Sequence, residues 1–236
     1  EYEEYLIGLA PEGLNDFKIA IDCGNGALYE MGTRVLKELG AEVVSIHTTP
    51  DGKNINKDCG STNPKLVSEL VKESRADFGF SFDGDADRII AVDEKGEEIN
   101  GDHMLGIFAM DLKEQGKLKN DTVVGTVMTN MGLDVYLDSI ESKVIKAPVG
   151  DRYVLESMVK GDYLIGGEQS GHIIFLEHNT TGDGLATGIH LANAIKKSGK
   201  VPSELNKLVS DYPQVLINAT VENSKKYSYM ENEKIK

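Results

Sequence analysis

Short apolar runs alternate with stretches of helical periodicity along this chain, and the whole alternation occurs twice. The predicted strands lie at 18–23, 42–46, 77–82, 88–92 and 97–99, and then at 122–126, 143–146, 163–165, 172–175 and 214–220. The predicted helices lie at 29–39, 64–75, 102–115, 133–140, 152–159, 184–197 and 203–208. Strands that alternate with helices favour mainly parallel sheets that are covered on both faces. The pattern therefore predicts an α/β protein with two such units.

The connection between the two units is the polar stretch at 116–120, after which the strand pattern restarts. A length of 236 residues also suits two α/β domains. We predict one domain over 1–117 and a second over 118–220. Residues 221–236 are too polar to extend a core, and we interpret them as a linker toward a further domain.

The net charge of −14 excludes one class of partner, because non-specific nucleic-acid binding depends on Lys and Arg that neutralise phosphates. No apolar run approaches the ~18 residues of a membrane helix, so we expect no membrane partner. The acidic start of the chain is unlike a signal peptide, and its two cysteines lack C-x-x-C spacing. These features favour a cytoplasmic protein. The negative charge is unfavourable for an anionic substrate.

The most informative motif is F-D-G-D-A-D-R at 82–88, which follows a predicted buried strand. Alternate side chains of an extended chain share a face, so Asp83, Asp85 and Asp87 can converge on one point. Three convergent carboxylates repel one another unless a cation lies between them, and oxygen ligands of this kind suit Mg²⁺. Arg88 follows directly and can bind an oxyanion through two parallel hydrogen bonds.

Three other interpretations of this motif fit the sequence less well. An EF-hand loop matches at Glu94, but it requires Gly where Arg88 stands and helices where strands are predicted. A haloacid-dehalogenase-type phosphatase requires Thr at the position of Asp87. A solvated acidic turn needs only one or two Asp residues.

A second motif, G-G-E-Q-S-G-H at 166–172, also lies between predicted strands. Its glycines permit unusual backbone angles and close approach of a ligand. Glu168 is an acceptor and Ser170 is both a donor and an acceptor, a combination that suits adjacent sugar hydroxyls. His172 can carry a proton near neutral pH. Taken by itself, the motif is equally compatible with a tight glycine-rich turn.

Three further segments have a structural and a functional interpretation. Asp151 precedes a predicted helix and is either its N-cap or a site residue. Asp183 is better explained as the N-cap of the long helix that follows than as a ligand. The glycine-rich segment at 24–26 favours a strand-to-helix turn over a phosphate cradle.

Taken together, five segments in this order resemble the α-D-phosphohexomutase family. They lie at 82–88, 126–132, 147–154, 166–172 and 180–184. The first is similar to the metal loop of the family and the fourth to its sugar-recognition loop. The other three resemble the branch that acts on glucosamine phosphates.

The resemblance implies the second and third domains of a four-domain enzyme. Each would be a three-layer α/β/α domain with a small mixed, mostly parallel sheet between helices. A phosphoserine in the first domain would donate phosphate to the sugar, and the resulting 1,6-bisphosphate would turn over and return its other phosphate. The substrate would be a phosphorylated hexosamine, converted from glucosamine 6-phosphate to glucosamine 1-phosphate. The implied partners are the first and fourth domains of the same protein and, for the complete enzyme, a second copy in a homodimer.

The resemblance also implies roles for the metal-loop residues. Asp83, Asp85 and Asp87 would hold Mg²⁺ beside the transferring phosphoryl group, where the ion offsets negative charge. Arg88 would assist at the same phosphate.

For the second half, the implied roles concern the sugar. Glu168 and Ser170 would hold its O3 and O4 hydroxyls, and Arg152 would also bind the substrate. Asp151 and His172 match positions near the reacting hydroxyls, so both are candidates for proton transfer.

One segment departs from the family pattern. Residues 61–64, S-T-N-P, are similar to the phosphoserine segment but have Thr62 where the family has His, and they lie in the wrong domain. We therefore reject Ser61 as the phosphoryl donor and expect the isolated chain to lack mutase activity. A phosphomannomutase or phosphoglucomutase of the same family stays open, as does a non-enzymatic module that binds divalent cations or sugars.

Overall fold

A computed structural model describes residues 1–215, 217, 220–225 and 228 of the chain. The helices are α1 (Tyr2–Gly8), α2 (Met31–Glu38), α3 (Lys65–Ser74), α4 (Gly101–Glu114), α5 (Met131–Ser139), α6 (Asp151–Gly161), α7 (Gly184–Ser198) and α8 (Pro202–Asn206). The strands are β1 (Lys18–Asp22), β2 (Glu42–Ile46), β3 (Phe78–Phe82), β4 (Ile89–Val92), β5 (Glu98–Ile99), β6 (Thr122–Thr126), β7 (Lys143–Ala147), β8 (Ile165–Gly167) and β9 (Ile173–Phe175). Among the described residues, short 3₁₀ turns lie at Gly60–Thr62, Lys119–Asp121 and Asn223–Lys225.

The first sheet has the order β2-β1-β3-β4-β5. Strand β1 runs parallel to β2 and β3, whereas β4 and β5 continue the sheet in antiparallel fashion. Every residue of β3 is buried, because α3 covers one face of the sheet and α2 and α7 cover the other. Gly79 lies where β3 meets α3, and a Cβ atom there would come within 2.7 Å of Val71. The close approach of this helix to the sheet therefore depends on glycine.

The second sheet has the order β7-β6-β8-β9, with two parallel pairs and one antiparallel pair at the edge. Helix α6 packs on one face through Val154 and Met158, which are fully buried. Helices α4 and α5 pack on the other face. Both units are thus three-layer α/β/α arrangements with mixed sheets, as predicted.

Two helices join the units by packing on the sheet of the opposite half. Helix α7 follows the second sheet in sequence but lies on β3 and β4 of the first sheet. Helix α4 contacts β5, and it also packs on β6 and β8 of the second sheet. Sequence periodicity assigned α4 to the first unit alone, and that assignment was incomplete, since every residue from Gly101 to Ala109 is buried. The division at residue 117 stays a prediction.

The chain ends differ in part from expectation. Helix α1 was not predicted; its Leu6 is fully buried and the helix packs against α2 and α7. Within the predicted strand at 214–220, the described residues Gln214, Val215, Ile217 and Thr220 lie in no strand. The rest of that strand lies outside the described residues, as do 226–227 and 229–236 of the predicted linker. Within the described ranges, no helix is long and apolar enough to span a membrane.

Candidate functional site

The acidic motif forms the loop that connects β3 to β4. The main-chain N–H of Arg88 donates to Asp83 Oδ1 at 3.1 Å, which closes the loop on its own first carboxylate. Ala86 adopts a left-handed conformation with φ of 65°. This conformation costs an L-residue about 1–2 kcal/mol, so the surrounding contacts hold the loop in a shape that its sequence alone disfavours.

The three carboxylates of this loop converge. One oxygen atom from each of Asp83, Asp85 and Asp87 lies within 4.8 Å of the other two. Asp83 is buried, and burial raises its pKa to about 6, with a further increase from the negative charges of Asp87 and Asp85. Three carboxylates whose negative charges repel one another suit a hard divalent cation such as Mg²⁺. The oxygen ligands of this loop therefore fit the predicted ion.

His172 connects the acidic loop to the second motif. Its Nδ1 atom lies 3.1 Å from Asp87 Oδ2, and its Nε2 atom accepts the N–H of Gly182 at 3.0 Å. This network assigns the proton of the neutral ring to Nδ1. The His172 side chain is only 2% exposed. His172 therefore uses both nitrogens to hold loops together.

Main-chain hydrogen bonds fix the same loops against one another. Ile89 N–H donates to Gly171 O at 3.1 Å, and Gly184 N–H donates to Ala86 O at 2.9 Å. Gly171 has φ of 90°, and a Cβ atom at this position would overlap the carbonyl oxygen of Ile89. Glycine is thus required at position 171 for the close contact between the second motif and β4. As a result, loops from both halves of the chain share one surface.

A groove of about 510 Å³ opens on this surface. Its lining residues are Ser61, Thr62, Pro64, Arg88, Ile90, Glu98, Asn100, Gln169 and Ser170. Arg88 and Ser170 therefore face the same space, although they are distant in sequence. Glu98 and Asn100 belong to no distinctive sequence motif, and only their place beside α4 brings them to the groove.

Glu168 and Asp151 lie on neighbouring loops. Glu168 Oε1 accepts the N–H of Gly150 at 3.0 Å, which ties the second motif to the start of α6. Gly150, not Asp151, occupies the N-cap position of α6, so the N-cap interpretation of Asp151 is wrong. Asp151 is the first residue of the helix and is exposed, and its Oδ1 accepts the N–H of Arg152 at 2.7 Å. Its carboxylate is accessible to a ligand.

Arg152 forms an ion pair on the surface, and Asp183 caps a helix. The Nε atom of Arg152 donates to Glu156 Oε1 at 2.8 Å, and the Arg152 side chain is 81% exposed. Arg152 is not one of the described residues that line the groove. Asp183 caps α7 through Oδ1, which accepts the N–H of Ala186 at 2.9 Å, and the N-cap prediction is confirmed.

Comparison with known proteins identifies the fold. The model of the phosphoglucomutase/phosphomannomutase α/β/α domain II matches residues 2–96, and that of domain III matches residues 100–212. The chain belongs to the phosphoglucomutase/phosphomannomutase family. The expected resemblance to second and third domains of this family is confirmed.

Curated relatives match 97–100% of this chain. A phosphoglucosamine mutase of Alkaliphilus oremlandii is 56% identical over 229 residues, which are 97% of this chain and 51% of that protein. One of Clostridium beijerinckii is 51% identical over 235 residues, which are 100% of this chain and 52% of that protein. The chain thus spans about half the length of the curated relatives that it matches.

Solved structures show the same architecture. A phosphoglucomutase/phosphomannomutase family protein of Burkholderia thailandensis matches with a TM-score of 0.76 and 26% identity, over 89% of this chain and 46% of that one. A second match is an Aspergillus fumigatus N-acetylphosphoglucosamine mutase in complex with GlcNAc-6P and magnesium, with a TM-score of 0.66 and 21% identity. It covers 90% of this chain and 54% of that one. At this identity the second match supports the fold alone.

Proposed function

We propose that this chain supplies the metal loop and the sugar loop of a cytoplasmic phosphoglucosamine mutase, which interconverts glucosamine 6-phosphate and glucosamine 1-phosphate. The observation that carries the proposal is the contact of Asp87 with His172, because it joins the acidic loop to the G-G-E-Q-S-G-H loop beside one groove. The phosphoglucosamine mutases at 51–56% identity support this choice of substrate.

The acidic loop would hold the cation. Asp83, Asp85 and Asp87 present one oxygen each within 4.8 Å, and Mg²⁺ bound there supplies positive charge that offsets the charge of a transferring phosphoryl group. The side chain of Arg88 is 47% exposed at the groove, where its guanidinium can bind two phosphate oxygens. These groups would provide the positive charge that the overall composition lacks.

The second motif would orient the sugar. Glu168 uses Oε1 for the N–H of Gly150, so Oε2 is available to accept from a sugar hydroxyl. Ser170 lines the groove and can donate or accept at an adjacent hydroxyl. A substrate-binding role for Arg152 requires its surface pair with Glu156 to break.

Proton transfer is better assigned to Asp151 than to His172. A group that moves a proton to a sugar hydroxyl needs an atom within hydrogen-bond reach of it. Both nitrogens of His172 already have partners. The exposed carboxylate of Asp151 lies next to Gly150, which binds Glu168. We infer that His172 positions Asp87, whereas Asp151 exchanges the proton.

A chimera tests the proposal. Residues 1–236 replace the matching segment of the Alkaliphilus oremlandii relative, and a coupled assay compares glucosamine, glucose and mannose 6-phosphates. We expect the highest kcat/KM with glucosamine 6-phosphate and no turnover by residues 1–236 alone, since the phosphoserine would come from another domain. A preference for glucose or mannose 6-phosphate would indicate another mutase of the family. An inactive chimera whose isolated central chain binds Mg²⁺ tightly would favour a non-enzymatic module.

A further inference from the structure

Three side chains of different ligand chemistry meet at the carboxyl ends of β1 and β2. Asp22 is the last residue of β1, His47 directly follows β2, and Cys59 precedes the 3₁₀ turn at Gly60–Thr62. One ligand atom from each lies within 4.8 Å of the other two. The cluster shares no residue with the acidic loop that follows β3.

Asp22 is held firmly at the centre of the cluster. It is fully buried, and its Oδ1 accepts the N–H of Gly24 at 2.9 Å while its Oδ2 accepts the N–H of Gly60 at 3.0 Å. His47 Nδ1 lies 2.9 Å from Oδ1. An ionised carboxylate has about four lone-pair sites. Two backbone donors can therefore orient the group while a cation takes the place of the His47 proton.

The backbone around Asp22 leaves little freedom. Gly24 and Gly60 have φ of 55° and 75°, and a Cβ atom at either would approach the carbonyl oxygen of Phe82 within 3 Å, at 2.9 and 2.5 Å. His47 is itself left-handed, with φ of 51°, and its carbonyl oxygen accepts the N–H of Asn25 at 2.8 Å. Ligands on segments that are fixed in this way need little rearrangement to bind an ion.

Access to the cluster is through His47. The side chain of His47 is 31% exposed, whereas Asp22 is fully buried and Cys59 is also buried. An ion can thus enter past the imidazole and lose most of its water inside. Burial raises the pKa of the Cys59 thiol, so the bound ion must displace the thiol proton.

We propose that Asp22, His47 and Cys59 form a binding site for a thiophilic divalent cation such as Zn²⁺. Thiolate sulfur, imidazole nitrogen and carboxylate oxygen are the ligands that Zn²⁺ takes in proteins, and three of them leave a fourth position for water. The sulfur ligand disfavours Mg²⁺, so this site and the all-oxygen acidic loop would select different ions.

Cobalt tests the site, because a thiolate bound to Co²⁺ gives a charge-transfer absorption in the near ultraviolet that oxygen ligands do not. We expect residues 1–236 to develop this band on titration with Co²⁺ and to lose it when Zn²⁺ is added. Cys59→Ala removes the band. His47→Ala removes a second ligand, at a partly exposed position, and weakens Co²⁺ binding at least about tenfold.

Two matched controls locate the band. Cys23→Ala removes the other buried thiol and leaves the band in place, and Asp85→Asn alters the acidic loop and also leaves it in place. Absence of the band at millimolar Co²⁺ in the folded chain overturns the proposal, as does a band that survives Cys59→Ala or disappears with Cys23→Ala. Circular dichroism confirms that each variant is folded. The test needs no mutase activity, so it is independent of the proposed function.

Discussion

His172 Nδ1 lies 3.1 Å from Asp87 Oδ2, and through this hydrogen bond a residue of the second half orients a carboxylate of the first. Its Nε2 atom at the same time accepts the N–H of Gly182. Partners of this kind fix the rotamer of a metal-binding carboxylate, and their loss typically reduces metal affinity 10–100-fold. The proposed metal loop is therefore complete only when both halves are folded and docked.

His172→Phe tests this positioning role. The change keeps a ring in the buried site but removes both hydrogen bonds, so we expect Mn²⁺ affinity of the active chimera to fall about tenfold. Electron paramagnetic resonance of free Mn²⁺ gives the affinity. His178→Phe is the control, because His178 is exposed. Unchanged Mn²⁺ affinity together with a shifted pH profile of kcat would instead indicate proton transfer by His172.

Asp85→Asn tests the cation site. Removing one of three convergent carboxylates lowers the attraction for Mg²⁺, so we expect kcat/KM of the chimera to fall at least about tenfold. The metal-free chain gains slight stability, since the negative charge of Asp85 contributes to the raised pKa of Asp83. The exposed Asp138→Asn is the control and leaves activity unchanged. Full activity in Asp85→Asn would be incompatible with the proposed metal loop.

Asp102→Asn tests a pH dependence of stability. Asp102 is fully buried, and burial raises its pKa to about 6. Because the folded-state pKa exceeds the unfolded value, Asp102 reduces stability above pH 6, and the penalty disappears as the pH falls below about 4. The amide oxygen of Asn can still accept the N–H of Asn130, which now donates to Asp102 Oδ2 at 2.8 Å.

Urea unfolding measures the effect of this substitution. We expect Asp102→Asn to raise the free energy of unfolding by about 3 kcal/mol at pH 7.5 and to leave it nearly unchanged at pH 4. Equal effects at the two pH values would show that ionisation of Asp102 is not the cause.

His190→Phe tests the opposite dependence. Burial lowers the pKa of His190 to about 3, with smaller contributions from His178 and Lys197. Its folded-state pKa lies below the unfolded value, so His190 destabilises the protein as the pH falls below about 6.5. The ring already stacks on Phe175 at a centroid distance of 4.2 Å, which makes Phe a suitable replacement. Between pH 7 and pH 4.5 the unsubstituted chain loses unfolding free energy. We expect the variant to lose less, by more than about 1 kcal/mol, when urea unfolding is measured at both pH values. The same difference in both proteins would contradict this expectation.

Arg152→Ala separates a surface residue from a substrate ligand. The Arg152 side chain is 81% exposed and pairs with Glu156, and such pairs contribute about 0–1 kcal/mol. We expect KM of the chimera to change less than about twofold, whereas Glu168→Ala raises it because a sugar acceptor is lost. A large rise in KM for Arg152→Ala would show that the guanidinium leaves Glu156 to bind substrate, as the family resemblance implied.

Local pattern was enough to place most helices and strands and to identify the acidic loop as a candidate site. Strand periodicity placed β2 and β6 at their observed bounds. The alternation of Asp83, Asp85 and Asp87 predicted their convergence, although the loop reaches it through the left-handed conformation of Ala86 and not through an extended chain. The same local signals missed α1, whose buried Leu6 is part of the core under α2 and α7.

Tertiary structure decided how the halves combine. Periodicity shows that a helix has apolar faces but not which sheet they meet, so α4 and α7 could not be assigned to the sheets on which they pack. Contacts such as Asp87 with His172, 85 residues apart, and Asp22 with His47 and Cys59 exist only after strands and loops dock. The sequence by itself determined the local elements and the ligand chemistry of each loop. Only the packed chain determined which loops share a surface, since that depends on burial of apolar area between segments that are distant in sequence.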